Sequence, residues 1–224
     1  MSVEGTRAAE RAGVDWRRAE FVLTLLAFLA FLTLAIRITD VYSGLPAHPL
    51  FVHVPVILIP TTVIAALVFI ARPEWLGRYG IALCLVSIVA MSSVFLTMQA
   101  GAALRSELHL HGEAARLISE HSQAAHILAI LFTAFTAVLI LAFAAYRISG
   151  GRPTGLGIVD RPLASRSAFN ALRLFLVVLA IGAGFMTFRT GDLGAKAVWA
   201  GRLHARPANL GRALPPGPRS SGGE

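Results

Sequence analysis

The residues best able to do chemistry in this chain are its seven histidines: His48, His53, His109, His111, His121, His126 and His204. Imidazole is a common ligand of transition metals and of haem iron. Cysteine contributes little beside it. With Cys84 as the one cysteine, the chain has no intrachain disulfide, no Cys-rich zinc or iron–sulfur site and no C-x-x-C-H for covalent haem. Any metal must be held by His, by carboxylate or as haem. Spacing narrows this further. His48 and His53 are five residues apart, as are His121 and His126, which turns the members of each pair about 140° apart around a helix. Neither pair can chelate one ion from one helix face, so ligation has to run between helices.

The elements that position them are membrane spans. Hydrophobic residues make up 56% of the chain and charged ones 14%, with a mean hydropathy of +0.69. This composition belongs to an integral membrane protein. The net charge of +8 and pI near 11.1 arise from loops and tail between apolar runs, so topology explains them better than nucleic acid does. Crossing a hydrocarbon core of roughly 30 Å takes about 20 helical residues. Five segments qualify: Ala19 to Ile36, Leu50 to Ala71, Gly80 to Leu104, Gln123 to Tyr146 and Ala168 to Phe188. The fold expected is an all-α membrane protein of five transmembrane helices, an N-terminal anchor plus a four-helix bundle. Its divisions are a leader over residues 1–18, anchor and outer loop over 19–43, the four-helix domain over 44–205 and a basic tail over 206–224, whose Pro, Gly, Ser and Arg content cannot bury a core. Ala35-Ile36-Arg37 offers no A-x-A-like cleavage site, so the first span reads as an uncleaved anchor.

Lys and Arg near the span ends set the orientation. Arg7, Arg11, Arg17, Arg18, Arg72, Arg78, Arg147, Arg152, Arg161 and Arg166 share one side, against Arg37, Arg105 and Arg116 in the loops of the other. The N-terminus is expected in the cytoplasm and the C-terminus outside, in a bacterial inner membrane. The basic tail argues the other way. With this threading all seven histidines gather at the outer face, and they share a face even if the topology is inverted. Thr97 and Gln99 arrive there on span three, and Arg189, Asp192 and Lys196 leave it after span five.

Polar groups at membrane depth usually face the bundle interior and pair or line a site. Against this, a histidine near the interface is readily solvated, and His109, His111 and His204 lie in loop or tail. His53, set in Leu50-Phe51-Val52-His53-Val54, and His121, next to Glu120, are the stronger candidates. Glu120 could orient the His121 ring as a supporting carboxylate. One imidazole from span two and one from span four can then serve as axial ligands of a haem b, with Arg189, Lys196, Arg105 or Arg116 available for its propionates. His48, His126 and Gln99 border the same place. A small-ion site of His with Glu120 or Asp192 is the competing chemistry.

Local backbone signals bear on the same region. Pro49 reads as a helix start. Pro55 and Pro60 predict a kinked span two, either a cavity near His53 or an ordinary kink. Gly182 and Gly184, with Ala180 and Ala183, read as a close-packing stripe.

Gly44-Leu45-Pro46-Ala47-His48-Pro49-Leu50-Phe51-Val52-His53 resembles the signature of the bacterial membrane family catalogued as domain of unknown function 2231. Arg78-Tyr79-Gly80, Gln99-Ala100-Gly101, Glu120-His121 and the run from Thr190 to Trp199 are further matches. The resemblance covers roughly Gly44 to Gly201 and leaves the first span as an addition. It implies a four-helix membrane domain without an assigned activity, in the company of redox partners such as Rieske or cytochrome modules. Many relatives carry His where this chain has Asp192, which puts ligation at that position in doubt.

The functional expectation is a haem- or metal-binding membrane protein serving electron transfer with a membrane or periplasmic redox protein. The alternative is a non-catalytic membrane subunit or scaffold that docks a partner through its outer loops and tail. A transporter fits poorly, because no acidic residue lies within a span and no inverted repeat is visible.

Overall fold

The computed structural model describes residues 41–42, 45–108, 111–151 and 157–204. The leader, the anchor span, His109 and the tail from residue 205 lie outside the described residues. Val41–Tyr42 (β1) and Leu45–Pro46 (β2) pair antiparallel. Helices follow: α1 (Ala47–Phe51), α2 (His53–Ala71), α3 (Pro73–Glu107), α4 (Gly112–Ser149), α5 (Gly157–Leu163) and α6 (Arg166–His204). Among the described residues, four helical stretches are long and apolar enough to cross a membrane: Ala47–Ala71, Pro73–Glu107, Gly112–Ser149 and Arg166–Trp199.

Local chemistry accounts for the breaks. Pro49 falls in the first turn of α1, where its missing N–H costs nothing. Pro55 cannot donate to the carbonyl of Phe51, and the helix is interrupted at Val52, although Val52 itself stays right-handed helical. The break in span two therefore falls at Val52, four residues past His48, and the helix runs on through Pro60. At the far end only Arg72 separates α2 from α3, which begins on Pro73. The backbone N–H of Ala168 donates to the Ser165 hydroxyl at 3.1 Å, capping α6.

Three helices run well beyond the apolar runs that mark the spans. At 1.5 Å per residue, 35 to 39 residues make rods of roughly 50–60 Å, against a hydrocarbon core of about 30 Å. The stretch expected as a loop between spans three and four is mostly helix, with residues 108–111 as the connection. The motif from Thr190 to Trp199 continues α6 rather than following it. At the histidine end α4 and α6 continue past their apolar runs, and a cavity opens there that reaches back into the spans as far as Ile59, Val94 and Leu128.

The core lies along the bundle axis. Phe132 and Phe135 are fully buried and stack at 5.3 Å, with Ile59, Leu139 and Leu176 around them. In mid-bundle the hydroxyls of Ser87 on α3 and Thr136 on α4 share a buried hydrogen bond of 2.8 Å. Ala180 and Ala183 of α6 are fully buried, as a small-residue interface requires. The glycines beside them act differently. A Cβ on Gly184 would meet nothing within 4 Å, and one on Gly182 only ordinary contact with Leu131 at 3.5 Å. At the end away from the histidines, Phe69, Trp75 and Tyr79 cluster with ring centroids 6.2–6.4 Å apart. Arg78 stands 5.3 Å from the Tyr79 ring, as in an interfacial aromatic belt.

Candidate functional site

A cavity of about 680 Å³ opens among α1–α2, α3, α4 and α6 at the histidine end. Its wall on α3 runs from Val94 to Leu108, roughly 20 Å along the helix axis. Ile59, Val94 and Leu128 line it with apolar surface. His48, Thr97, Gln99, His121, Ser122, His126 and Thr190 supply polar groups, and Arg105 is its one charged side chain among the described residues. Such a volume, apolar with a few convergent polar groups, suits a small molecule or cofactor.

Two of its imidazoles are fixed in the same way. The Nδ1 of His48 bonds the main-chain carbonyl of Thr97 at 3.0 Å, and the Nδ1 of His121 bonds that of Thr190 at 2.8 Å. A carbonyl can only accept, so each Nδ1 donates, and in the neutral form of each ring Nε2 is then the nitrogen with the lone pair. The rings stand 6.2 Å apart, centroid to centroid, with planes 83° to one another. Both are half-buried.

The approach of each ring depends on a glycine one turn beyond the accepting carbonyl. A Cβ on Gly101 would lie 2.9 Å from Nδ1 of His48, and one on Gly194 would lie 3.1 Å from Cε1 of His121. A methyl group at Gly101 would force the His48 ring to shift, and one at Gly194 would ask the His121 ring to give by a few tenths of an ångström.

Other candidate residues are placed elsewhere. His53 is exposed at the start of α2 and is not among the cavity's lining residues. His126 lines the cavity, with its Nδ1 on the carbonyl of Ser122 at 2.7 Å within its own helix. Gln99 lines it as well. Glu120 does not orient His121: its carboxylate accepts from Arg116 at 2.7 Å, and Glu113 lies 3.9 Å from the same guanidinium. Lys196 pairs with Asp192 at 2.7 Å on the exposed side of α6, and Arg189 is exposed; none of the three lines the cavity. Asp192 therefore removes nothing from the cavity wall. His111 is exposed. Among the described residues no three His, Cys, Asp or Glu side chains gather to hold a metal ion.

The sequence reading named Arg105 as one of four cations for a propionate but passed over Gly194 as a contact. It also left Arg173 unremarked inside span five. That guanidinium donates to the carbonyl of Ile70 at 2.6 Å and lies 5.8 Å from the Phe169 ring. An arginine inside an apolar run was the signal that a neighbouring helix end needed a donor.

A family model described as "Predicted membrane protein (DUF2231)" matches residues 44–207, which takes in the whole cavity. No curated protein and no solved structure matches the chain.

Proposed function

This chain belongs to the DUF2231 family of predicted membrane proteins, and from that premise we propose that its cavity holds a haem b between His48 and His121 and that the protein passes electrons within the membrane. The observation that carries the reading is the pair of imidazoles with Nδ1 bonded to backbone and Nε2 left for ligation. If His48 and His121 each gave a bond of about 2 Å to one ion between them, their ring centroids would stand roughly 6 Å apart. The observed 6.2 Å suits that arrangement. The donor set also discriminates. Two imidazoles without a carboxylate underfill the shell of a bare zinc or calcium ion. They complete a haem, whose macrocycle supplies the other four nitrogens.

The remaining residues have definite tasks. Arg105 at the rim is placed to pair with a propionate, in preference to Arg116, which already serves Glu120, and to Arg189 and Lys196, which lie off the cavity wall. Ile59, Val94 and Leu128 exclude water from the apolar body. When bound, the group supplies one-electron reduction and oxidation at iron; the polypeptide holds its ligands, its charge and its dielectric. Arg72, Arg78, Arg147, Arg161 and Arg166 lie at the end of the bundle away from the cavity. Under the positive-inside rule the cavity opens outside the cytoplasm of a bacterial inner membrane, toward a periplasmic or membrane-bound redox partner. A reduced-minus-oxidised spectrum of the detergent-solubilised protein, expressed with haem precursor, tests this. A Soret and α-band change is expected; a featureless difference spectrum overturns it.

A further inference from the structure

The bundle uses one device twice. In each helical hairpin the first helix leaves the cavity end carrying a His-x4-His spacing, His48 and His53 or His121 and His126. Thr97 and Gly101 on α3 recur at the same four-residue spacing as Thr190 and Gly194 on α6. The leading histidine of each hairpin, His48 or His121, is the one whose Nδ1 bonds the threonine's carbonyl. The glycine one turn on clears room for its ring. The two hairpins run in the same sense, as parallel repeats do about an axis along the bundle. His48 and His121 meet where the halves face each other.

We propose that Thr97 with Gly101 and Thr190 with Gly194 are matched imidazole cradles, positioning residues that fix the tautomer and depth of His48 and His121 so that both Nε2 atoms are available to one ligand at the centre of the cavity. The proposal rests on the haem reading for the identity of that ligand, but the cradle is a property of the protein alone. The carbonyl secures hydrogen on Nδ1, leaving Nε2 across the ring from that bond. An outer partner of this kind typically changes metal affinity by about 10–100-fold. The glycine leaves room for the bond, since a methyl group at Gly101 would lie 2.9 Å from Nδ1 and the ring would have to shift from its present place. Gly194 is slightly more forgiving, with its nearest ring atom at 3.1 Å.

The test uses Gly101→Ala, Gly194→Ala and, as control on the same helix as Gly194, Gly184→Ala, whose added methyl would meet nothing within 4 Å. Each is checked for a native gel-filtration profile, and two signals are read from the full-length protein in detergent. In protein carrying 15N-histidine and no haem, the wild type is expected to show Nδ1-protonated rings, and Gly101→Ala and Gly194→Ala each to lose one such signal. In haem-loaded protein, each is expected to convert the six-coordinate low-spin spectrum to high-spin, or to lower haem affinity about tenfold or more, with Gly101→Ala the more severe. Gly184→Ala should match the wild type in both. If Gly101→Ala and Gly194→Ala fold and keep the Nδ1 signals, the cradle is overturned. If the NMR signals change as stated while the wild type takes up no haem, the cradle stands and the haem reading falls. Should a variant fail to fold, Thr97→Pro is excluded as too disruptive, and Gly101→Ser or Gly194→Ser, which adds a polar group at the same place, carries the same two readouts.

Discussion

His48 and His121 come from different helical hairpins and stand ring to ring at 6.2 Å, each with its Nδ1 hydrogen on a carbonyl of yet another helix. Among the described histidines, that arrangement sets apart the two rings held by carbonyls of other helices. Replacing either held ring by alanine is expected to remove the six-coordinate spectrum of haem-loaded protein, while His53→Ala, at an exposed position off the cavity wall, leaves pigment content unchanged. Absorption spectra of the three variants at equal protein concentration decide it. Equal loss from His53→Ala would mean that α2 is turned differently in the membrane.

The gathering of histidines at one end was legible in the sequence, because it depends only on which span ends share a face. Which two rings face each other was harder to read, and the reason is physical. His53 has apolar neighbours on both sides, which in a soluble domain points to burial; in a bilayer the outward surface is equally apolar, so the same pattern accompanies exposed Val54, Val56 and Ile57. The two rings leave the helix about 140° apart, and it is His48 rather than His53 that lines the cavity. Helix ends were underestimated for a related reason: hydropathy marks where the bilayer is, and α3, α4 and α6 continue beyond it. Glycine had two meanings as well. Gly182 and Gly184 looked like a packing stripe, yet the close approaches occur at Gly77, Gly80, Gly101 and Gly194, against side chains from distant parts of the chain.

Arg105 supplies the cavity's one charge among the described residues. Arg105→Gln is expected to lower haem affinity about tenfold or more, since a hydrogen bond to a charged group contributes about 1.5–3 kcal/mol and each 1.4 kcal/mol is tenfold. The axial ligands stay in place, so the band positions should not move. Titration of haem into the haem-free protein, with Arg189→Gln as the comparison, checks both parts; an equal effect from Arg189 would relocate the anion.

The Ser87–Thr136 hydrogen bond joins α3 to α4 where no water competes. Inter-helical bonds of this kind contribute about 0.6 kcal/mol on average and about 1.7 kcal/mol at most. A double-mutant cycle on Ser87→Ala and Thr136→Val, read by unfolding in mixed detergent, should return a coupling in that range. A value near zero would show that the two hydroxyls find backbone partners separately.

Arg173 carries the largest expected effect away from the cavity. Its guanidinium satisfies the carbonyl of Ile70 at the end of α2, a group the helix itself cannot pair. It thereby ties α6 to the α2–α3 corner, where Arg72 is the whole connection. Arg173→Met keeps much of the apolar stem and removes the donor, leaving that carbonyl without its partner. The expected cost is about 1–3 kcal/mol of stability, with Arg173→Lys retaining part of it because an ammonium can still donate. Haem spectra should be unaltered in both variants, since the contact lies at the opposite end of the bundle from His48 and His121. A lowered melting temperature with unchanged bands is the outcome this geometry requires, and a shifted band would mean that the two ends of the bundle are mechanically coupled through α6.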